Sequence, residues 1–295
     1  MSARGSRRVF LLIAAALTLV SGTACAPASS PSAAGSAGSA GSGCGSVSTL
    51  SLYRSGRLTV ATDTPAYDPW FQDNDPGNGK GFESAVAYAV AAQLGFSSSQ
   101  VTWVTEPFDS SYAPGSKAFD FDINEISITT ARAKAVDFST GYYTANQGVL
   151  VLNGSKYAGA TSLADLKGAR IGVQVATTSY QAVVDEIKPN QQPSVYNTTD
   201  DEISALKDNQ VDAIVTDMPT VYYLSSAELD NGKILGQFSY DGGAAAEQYG
   251  LLLQKNSKLT PCVDKAIAAL TASGKLQQIT QQWLSASTDV PELKS

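Results

Sequence analysis

The chain contains no histidine. That absence removes Ser-His-Asp and Cys-His nucleophile systems and the commonest transition-metal ligand, which excludes most familiar hydrolases. Cysteine is scarce, with three in 295 residues. An odd count in an exported chain gives one of them a task other than internal pairing. Basic charge is also short, leaving a net charge of −7. This balance argues against nucleic acid and anionic membrane surfaces as partners. Beyond the first 25 residues no apolar run approaches the length that spans a bilayer.

What is present begins with a leader. Arg4, Arg7 and Arg8 precede an apolar run from Val9 to Val20, and small residues follow to Cys25. Residues 1–25 read as a secretory signal. Cys25 reads as the lipidated first residue of a lipoprotein, anchored to the outer face of the cell membrane. Gly22 stands where a lipobox has an aliphatic residue, and Ala24-Cys25-Ala26 and Ala26-Pro27-Ala28 fit ordinary signal peptidase, so soluble secretion is the alternative. Loss of the three leader arginines takes the net charge from −7 to −10. With Cys25 lipidated, Cys44 and Cys262 remain as a disulfide pair suited to an oxidising compartment; the alternative leaves Cys44 free. From Ala26 to Ser46 the chain is Ala, Gly, Ser and Pro apart from Cys44. Residues 26–49 are therefore expected to be a flexible tether.

From Arg57 onward, strand and helix signals alternate. Strands are expected at Arg57–Thr62, Val101–Thr105, Asp120–Ser127 and Gln147–Leu152, with a helix at Ala85–Leu94 stopped by Gly95. A second set follows, with strands at Arg170–Val175, Ser194–Asn197, Asp212–Thr216 and Ile234–Ser239 between helices, and two helices close the chain. The pattern is α/β, with helices on both faces of the sheets. It predicts two lobes, 50–147 with 252–290 and 148–251, joined by crossings near Gly148–Asn153 and Gln248–Leu252. A cleft between the lobes, at strand carboxyl ends, is the expected ligand site.

Several side chains fall at those strand ends. In Asn124-Glu125-Ile126-Ser127-Ile128-Thr129-Thr130-Ala131-Arg132, a Thr turn starts a helix with an arginine in its first turn. A guanidinium beside free backbone N–H groups suits a carboxylate; Thr129 acting as a plain cap and Arg132 as a solvated charge is the bland alternative. Asp63 ends the first strand, and Tyr67 and Trp70 follow among prolines as candidate pocket walls. Thr177 and Thr178 open a helix after a strand, and Asp217 follows another, either to hold an ammonium group or to cap a helix. The loop at Asp73–Gly79 lacks EF-hand spacing, so no metal is expected. One arginine with opposing carboxylates suits a zwitterion such as an α-amino acid.

These segments resemble an extracytoplasmic solute-binding protein of the polar amino-acid ABC transporter class. The resemblance runs from about Gly56 to Trp283 through Gly56–Asp63, Gly81-Phe82-Glu83, Ser127–Arg132, Val136-Asp137-Phe138-Ser139, Ser162–Gly168 and Val211-Asp212-Ala213. It implies the two-lobed periplasmic-binding-protein fold, closing like a hinge on one amino acid and handing it to permease subunits, as a monomer without a cofactor. By resemblance Arg132, helped by Ser127 and Thr178, takes the ligand α-carboxylate and Asp217 the α-ammonium. Asp63 meets the ligand side chain, and Tyr67, Trp70 and Phe108 wall the pocket. The chain departs from the family at Asn124-Glu125 and at Ala176, where relatives commonly have glycine. The acidic side chains of Asp63, Glu125 and Asp217 lean towards arginine, lysine or a related cation; a neutral amide such as glutamine, donating to Asp63, is the alternative. The rival readings are a lyase or glycan-cleaving enzyme on the same scaffold, with Glu125 as its acid or base, and an amino-acid-sensing ectodomain.

Overall fold

The computed structural model describes residues 44–241, 246–285 and 290–294. The leader, Cys25 and the tether up to residue 43 lie outside the described residues. In chain order come β1 (Leu58–Thr62), α1 (Phe82–Gln93), β2 (Val101–Thr105), the short α2 (Phe108–Ser111), β3 (Phe121–Asp122), β4 (Val136–Phe138), β5 (Tyr143–Thr144) and β6 (Gln147–Leu152). Next are β7 (Ile171–Gln174), α3 (Thr178–Ala182), β8 (Ser194–Tyr196), α4 (Thr199–Lys207), β9 (Ala213–Asp217), α5 (Met218–Tyr223) and β10 (Gly232–Phe238). Last come β11 (Gln248–Tyr249), β12 (Leu252–Gln254), α6 (Thr260–Ala272) and α7 (Lys275–Leu284).

Two sheets carry the two lobes. The first has the order β2-β1-β3-β12-β4, and the second β10-β6-β9-β7-β8. Every residue of β1 is buried, as in a strand covered on both faces. One of those faces is covered by α1, whose Phe82, Val86 and Val90, with Leu94 just beyond its end, share a core with Val263 and Ile267 of α6 and Ile279 of α7. These positions recur every four residues and so fall on one side of the helix. The second sheet is likewise buried on two sides, by Ala182, Val183 and Ile187 on one and Ile203, Leu206 and Val221 on the other.

β5 and β11 pair antiparallel, Tyr143 opposite Tyr249 and Thr144 opposite Gln248, and the chain passes between the lobes along them. The passage out of the first lobe thus precedes Gly148–Asn153, which lies in β6 or just beyond it. The strand expected at Asp120–Ser127 is also shorter. Only Phe121–Asp122 pairs with β1, because Glu125 takes a positive φ of 52° and turns the chain out of the sheet. That turn brings Asn124, Glu125 and Ser127 into the cleft.

Both ends of the described chain are fastened. Val47–Thr49, in the stretch read as tether, forms a single 3₁₀ turn, and Val47 and Leu50 pack on the first lobe's core. A disulfide joins Cys44 to Cys262 of α6 in the same lobe. At the other end residues 290–294 lie along the β10 edge, with Gln237 opposite Glu292 in a parallel bridge. Gln237 donates its backbone N–H to Pro291 O at 2.9 Å and accepts from Leu293 N at 2.8 Å. The fit depends on Gly236, where a Cβ would stand 2.6 Å from Pro291 O. Leu293 enters the second lobe's core.

Candidate functional site

The ends of β1 and the turn after β3 face the ends of β7 and β9 across the cleft. They enclose a cavity of about 60 Å³. Asp63, Tyr67, Phe108, Asn124, Glu125 and Ser127 line it from the first lobe, and Gln174, Thr177, Thr178, Thr199, Asp217 and Thr220 from the second. A larger recess of about 900 Å³ lies beside it, lined by Tyr112, Arg132, Ala176 and Glu247 among others. Ser127, Thr177 and Thr178 belong to both. The structure thus brings together all but two of the expected ligand-binding residues around the cavity.

The two exceptions are Arg132 and Trp70. Arg132 sits in the recess, 9 % exposed. Its Nη1 donates to Ser127 O and its Nη2 to Ala176 O, each at 2.9 Å, so the guanidinium bridges the two lobes. Its carbon lies 4.7 Å from the Tyr112 ring centre and 5.4 Å from that of Phe108, within cation–π reach. The expected helix here is a single 3₁₀ turn, Arg132–Lys134, started by a bond from Arg132 N to Thr129 Oγ1 at 3.1 Å. So short a turn has little dipole, and the guanidinium itself is the attracting group. Ala176 keeps a φ of 65°, the left-handed region glycine favours, and that conformation delivers its carbonyl to Arg132.

Trp70 does not wall the cavity. It is fully buried, with Phe82, Tyr143 and Tyr249 edge-on around it. Its indole N–H crosses the cleft to donate to Thr220 Oγ1 at 2.8 Å, and Thr220 donates in turn to Glu125 Oε2 at 3.2 Å. A buried indole needs a partner, and the partner it finds is a residue of the cavity wall.

Asp217 precedes α5, but its side chain makes no capping bond. It accepts instead from Gln147 Nε2 at 2.7 Å. Burial and the nearby charge of Glu247 push its carboxyl up to about 8. Glu125 is raised well above the usual carboxylate range by burial, then by the charges of Glu83 and Asp217. Beneath it, buried Glu83 accepts from Glu125 N at 2.7 Å and from the Tyr142 hydroxyl. Burial raises Glu83 to about 7. Asp63 is committed to backbone, accepting from Thr64 N and Phe108 N. Thr177 Oγ1 donates to Gln174 O at 2.8 Å, closing the strand-to-helix turn.

Sequence reasoning missed Gln147, Thr220 and Glu247. Glu247 is 8 % exposed, and its Oε1 accepts from Ser127 Oγ at 2.6 Å and from Thr178 Oγ1. Its Oε2 accepts from Gln147 Nε2 at 3.0 Å. The only signal in the sequence is an acidic residue placed directly before a lobe crossing. Asn124 Nδ2 is buried at the cavity without a bond partner, a donor available to a ligand.

Comparison with known proteins places this geometry. The sequence profile of the bacterial extracellular solute-binding proteins, family 3, matches residues 58–286. The chain is 29 % identical over 245 residues to the arginine-binding extracellular protein ArtP of Bacillus subtilis (strain 168), covering 81 % of this chain and 91 % of that one. It is 29 % identical over 235 residues to the L-cystine-binding protein TcyJ of Escherichia coli (strain K12), covering 78 % and 84 % respectively. Among solved structures, an ancestral arginine-binding protein bound to arginine superposes with a TM-score of 0.64 at 32 % identity, over 78 % of this chain and 98 % of that one.

Proposed function

The chain belongs to the bacterial extracellular solute-binding proteins of family 3, and from that premise we propose that it is the ligand-binding component of an ABC importer for a basic L-amino acid. It is an exported binding protein of two-lobed fold and not an enzyme. The observation that carries the ligand class is the cavity's acidic lining. Asp63, Glu125 and Asp217 line it, and among the described residues no lysine or arginine does. Burial and neighbouring carboxylates push Glu125 and Asp217 towards the neutral form, and a cation entering between them favours their charged form and is held by it. Being named for arginine, ArtP supports the same reading, whereas TcyJ, named for cystine, marks the breadth of the relatives.

In this reading Arg132, Ser127 and Thr178 hold the α-carboxylate and Asp217 the α-ammonium. Asp63 and Glu125 face the side-chain cation, and Tyr67 and Phe108 flank its stem. Contacts from both lobes make the closed form the one the ligand favours, and that form would dock on the permease. A thermal-shift panel is expected to rank arginine, lysine and ornithine above glutamine and cystine. Strong stabilisation by the neutral amino acids with none by the basic ones rejects the ligand class.

The pKa of Asp217 gives an independent check. At neutral pH its carboxyl, raised to about 8, holds a proton. A ligand ammonium favours the charged form and lowers that pKa, so binding releases a proton. Affinity is therefore expected to rise as the pH approaches about 8 and then level. Calorimetry at pH 7 in two buffers of different ionisation enthalpy measures the release. Binding with no proton released removes Asp217 from the ammonium site.

A further inference from the structure

We propose that Glu247 is an internal stand-in for the ligand's α-carboxylate, seated on the ligand's own donors and displaced when the amino acid binds. The inference rests on the assignment of Ser127, Thr178 and Arg132 to that carboxylate. Ser127 Oγ donates to Glu247 Oε1 at 2.6 Å, Thr178 Oγ1 donates to the same oxygen, and the two hydroxyls lie 3.3 Å apart. A carboxylate oxygen shared by two hydroxyls from opposite lobes is the arrangement a bound amino acid would be given. Gln147 Nε2 completes the seat at 3.0 Å and also binds Asp217, so the same amide ties the stand-in to the ammonium site.

The cavities support displacement over mere proximity. Asp217 lines the small acidic cavity and Arg132 the larger recess, and neither lines both. Ser127, Thr177 and Thr178 line both spaces, and the hydroxyls of Ser127 and Thr178 hold Glu247 there. A ligand that meets both Asp217 and Arg132 passes the residues that the two spaces share. With Glu247 in its seat the ligand meets one pole of the site or the other. Once Glu247 swings into the recess, whose wall it already forms, the two spaces join and the guanidinium faces the ligand. Glu247 precedes β11 at the crossing between the lobes, so its release is coupled to the strand pair on which the hinge turns. In its seat it bonds Ser127 of the first lobe and Thr178 of the second, and so ties the two lobes together. It also lowers apparent affinity, because only the fraction of molecules with the seat vacated is competent to bind.

The test compares wild type with Glu247→Ala, and with Glu247→Gln as the isosteric control. Titration calorimetry with arginine is expected to show affinity at least about tenfold higher for Glu247→Ala, with Glu247→Gln between it and wild type. A second measurement uses sodium acetate alone as the probe. Acetate at tens of millimolar is expected to raise the melting temperature of Glu247→Ala and to leave wild type unmoved, because only the variant has an open carboxylate seat. Affinity that falls in Glu247→Ala, or changes by less than about threefold, overturns the inference, as does acetate acting equally on both proteins. A wild type that binds no amino acid across the panel fails the functional reading itself, and this inference falls with it. Should Glu247→Ala fail to fold, Glu247→Gln with the same two readouts decides between the outcomes.

Discussion

Replacing Arg132 with alanine is expected to weaken amino-acid binding by roughly 30-fold to several thousand-fold. That range is the about 2–5 kcal/mol lost when one partner of a desolvated charge pair is truncated, converted at 1.4 kcal/mol per tenfold. The structure explains why the effect should lie high in it. The guanidinium is held by Ser127 O and Ala176 O, one from each lobe, and faced by Phe108 and Tyr112. These contacts fix its position, so little ordering entropy is spent on binding. Lysine is not an adequate substitute, since one ammonium cannot bridge two carbonyls and also offer a planar pair of donors. Calorimetry with the best ligand of the panel is the measurement, with the melting temperature of each ligand-free variant as control. Near-normal affinity in a folded Arg132→Ala protein would remove Arg132 from the site.

The second large effect is on folding. Gly81→Ala is expected to destabilise the protein by about 3 kcal/mol or more, read as a melting temperature lower by roughly 6–12 °C. Gly81 has φ 94° and ψ 160°, a region closed to other residues. A Cβ there would stand 2.4 Å from Trp70 O and 2.6 Å from Phe71 Cα. Both neighbours are tied down: Trp70 O accepts from Glu83 N, Phe71 N donates to Tyr67 O, and Pro69 O accepts from Phe82 N. Those bonds start α1 against the aromatic loop and place Glu83 beneath Glu125. A Gly81→Ala protein that melts with wild type would show that the loop relaxes freely, and that α1 does not depend on this contact.

Much of the architecture was legible in the sequence because it depends on local pattern. β1 is five consecutive buried residues, and α1 an apolar stripe at helical spacing; both announce themselves over short windows. Asp217 and Thr178 were legible for a related reason, since each sits at a junction between strand and helix, where a side chain must face the cleft or cap. Trp70 was not. Within a Pro-rich aromatic loop nothing local says which ring faces the ligand and which faces the core. Here Phe82, Tyr143 and Tyr249, distant in sequence, enclose it. Glu247 was illegible for the same reason on a larger scale. Its partners Ser127, Gln147 and Thr178 lie 120, 100 and 69 residues away, and only the crossing of β11 brings them together. The C-terminal strap is five described residues long, too few for any periodicity, and it docks because Gly236 leaves space for it.

That strap and the disulfide together give the molecule a built-in ruler. Cys44 is fastened to one jaw and Leu293 seated in the other. Whatever rotation the hinge performs is therefore written into the distance between these two residues. Fluorophores attached just outside these two anchors would report opening and closing without any label near the ligand.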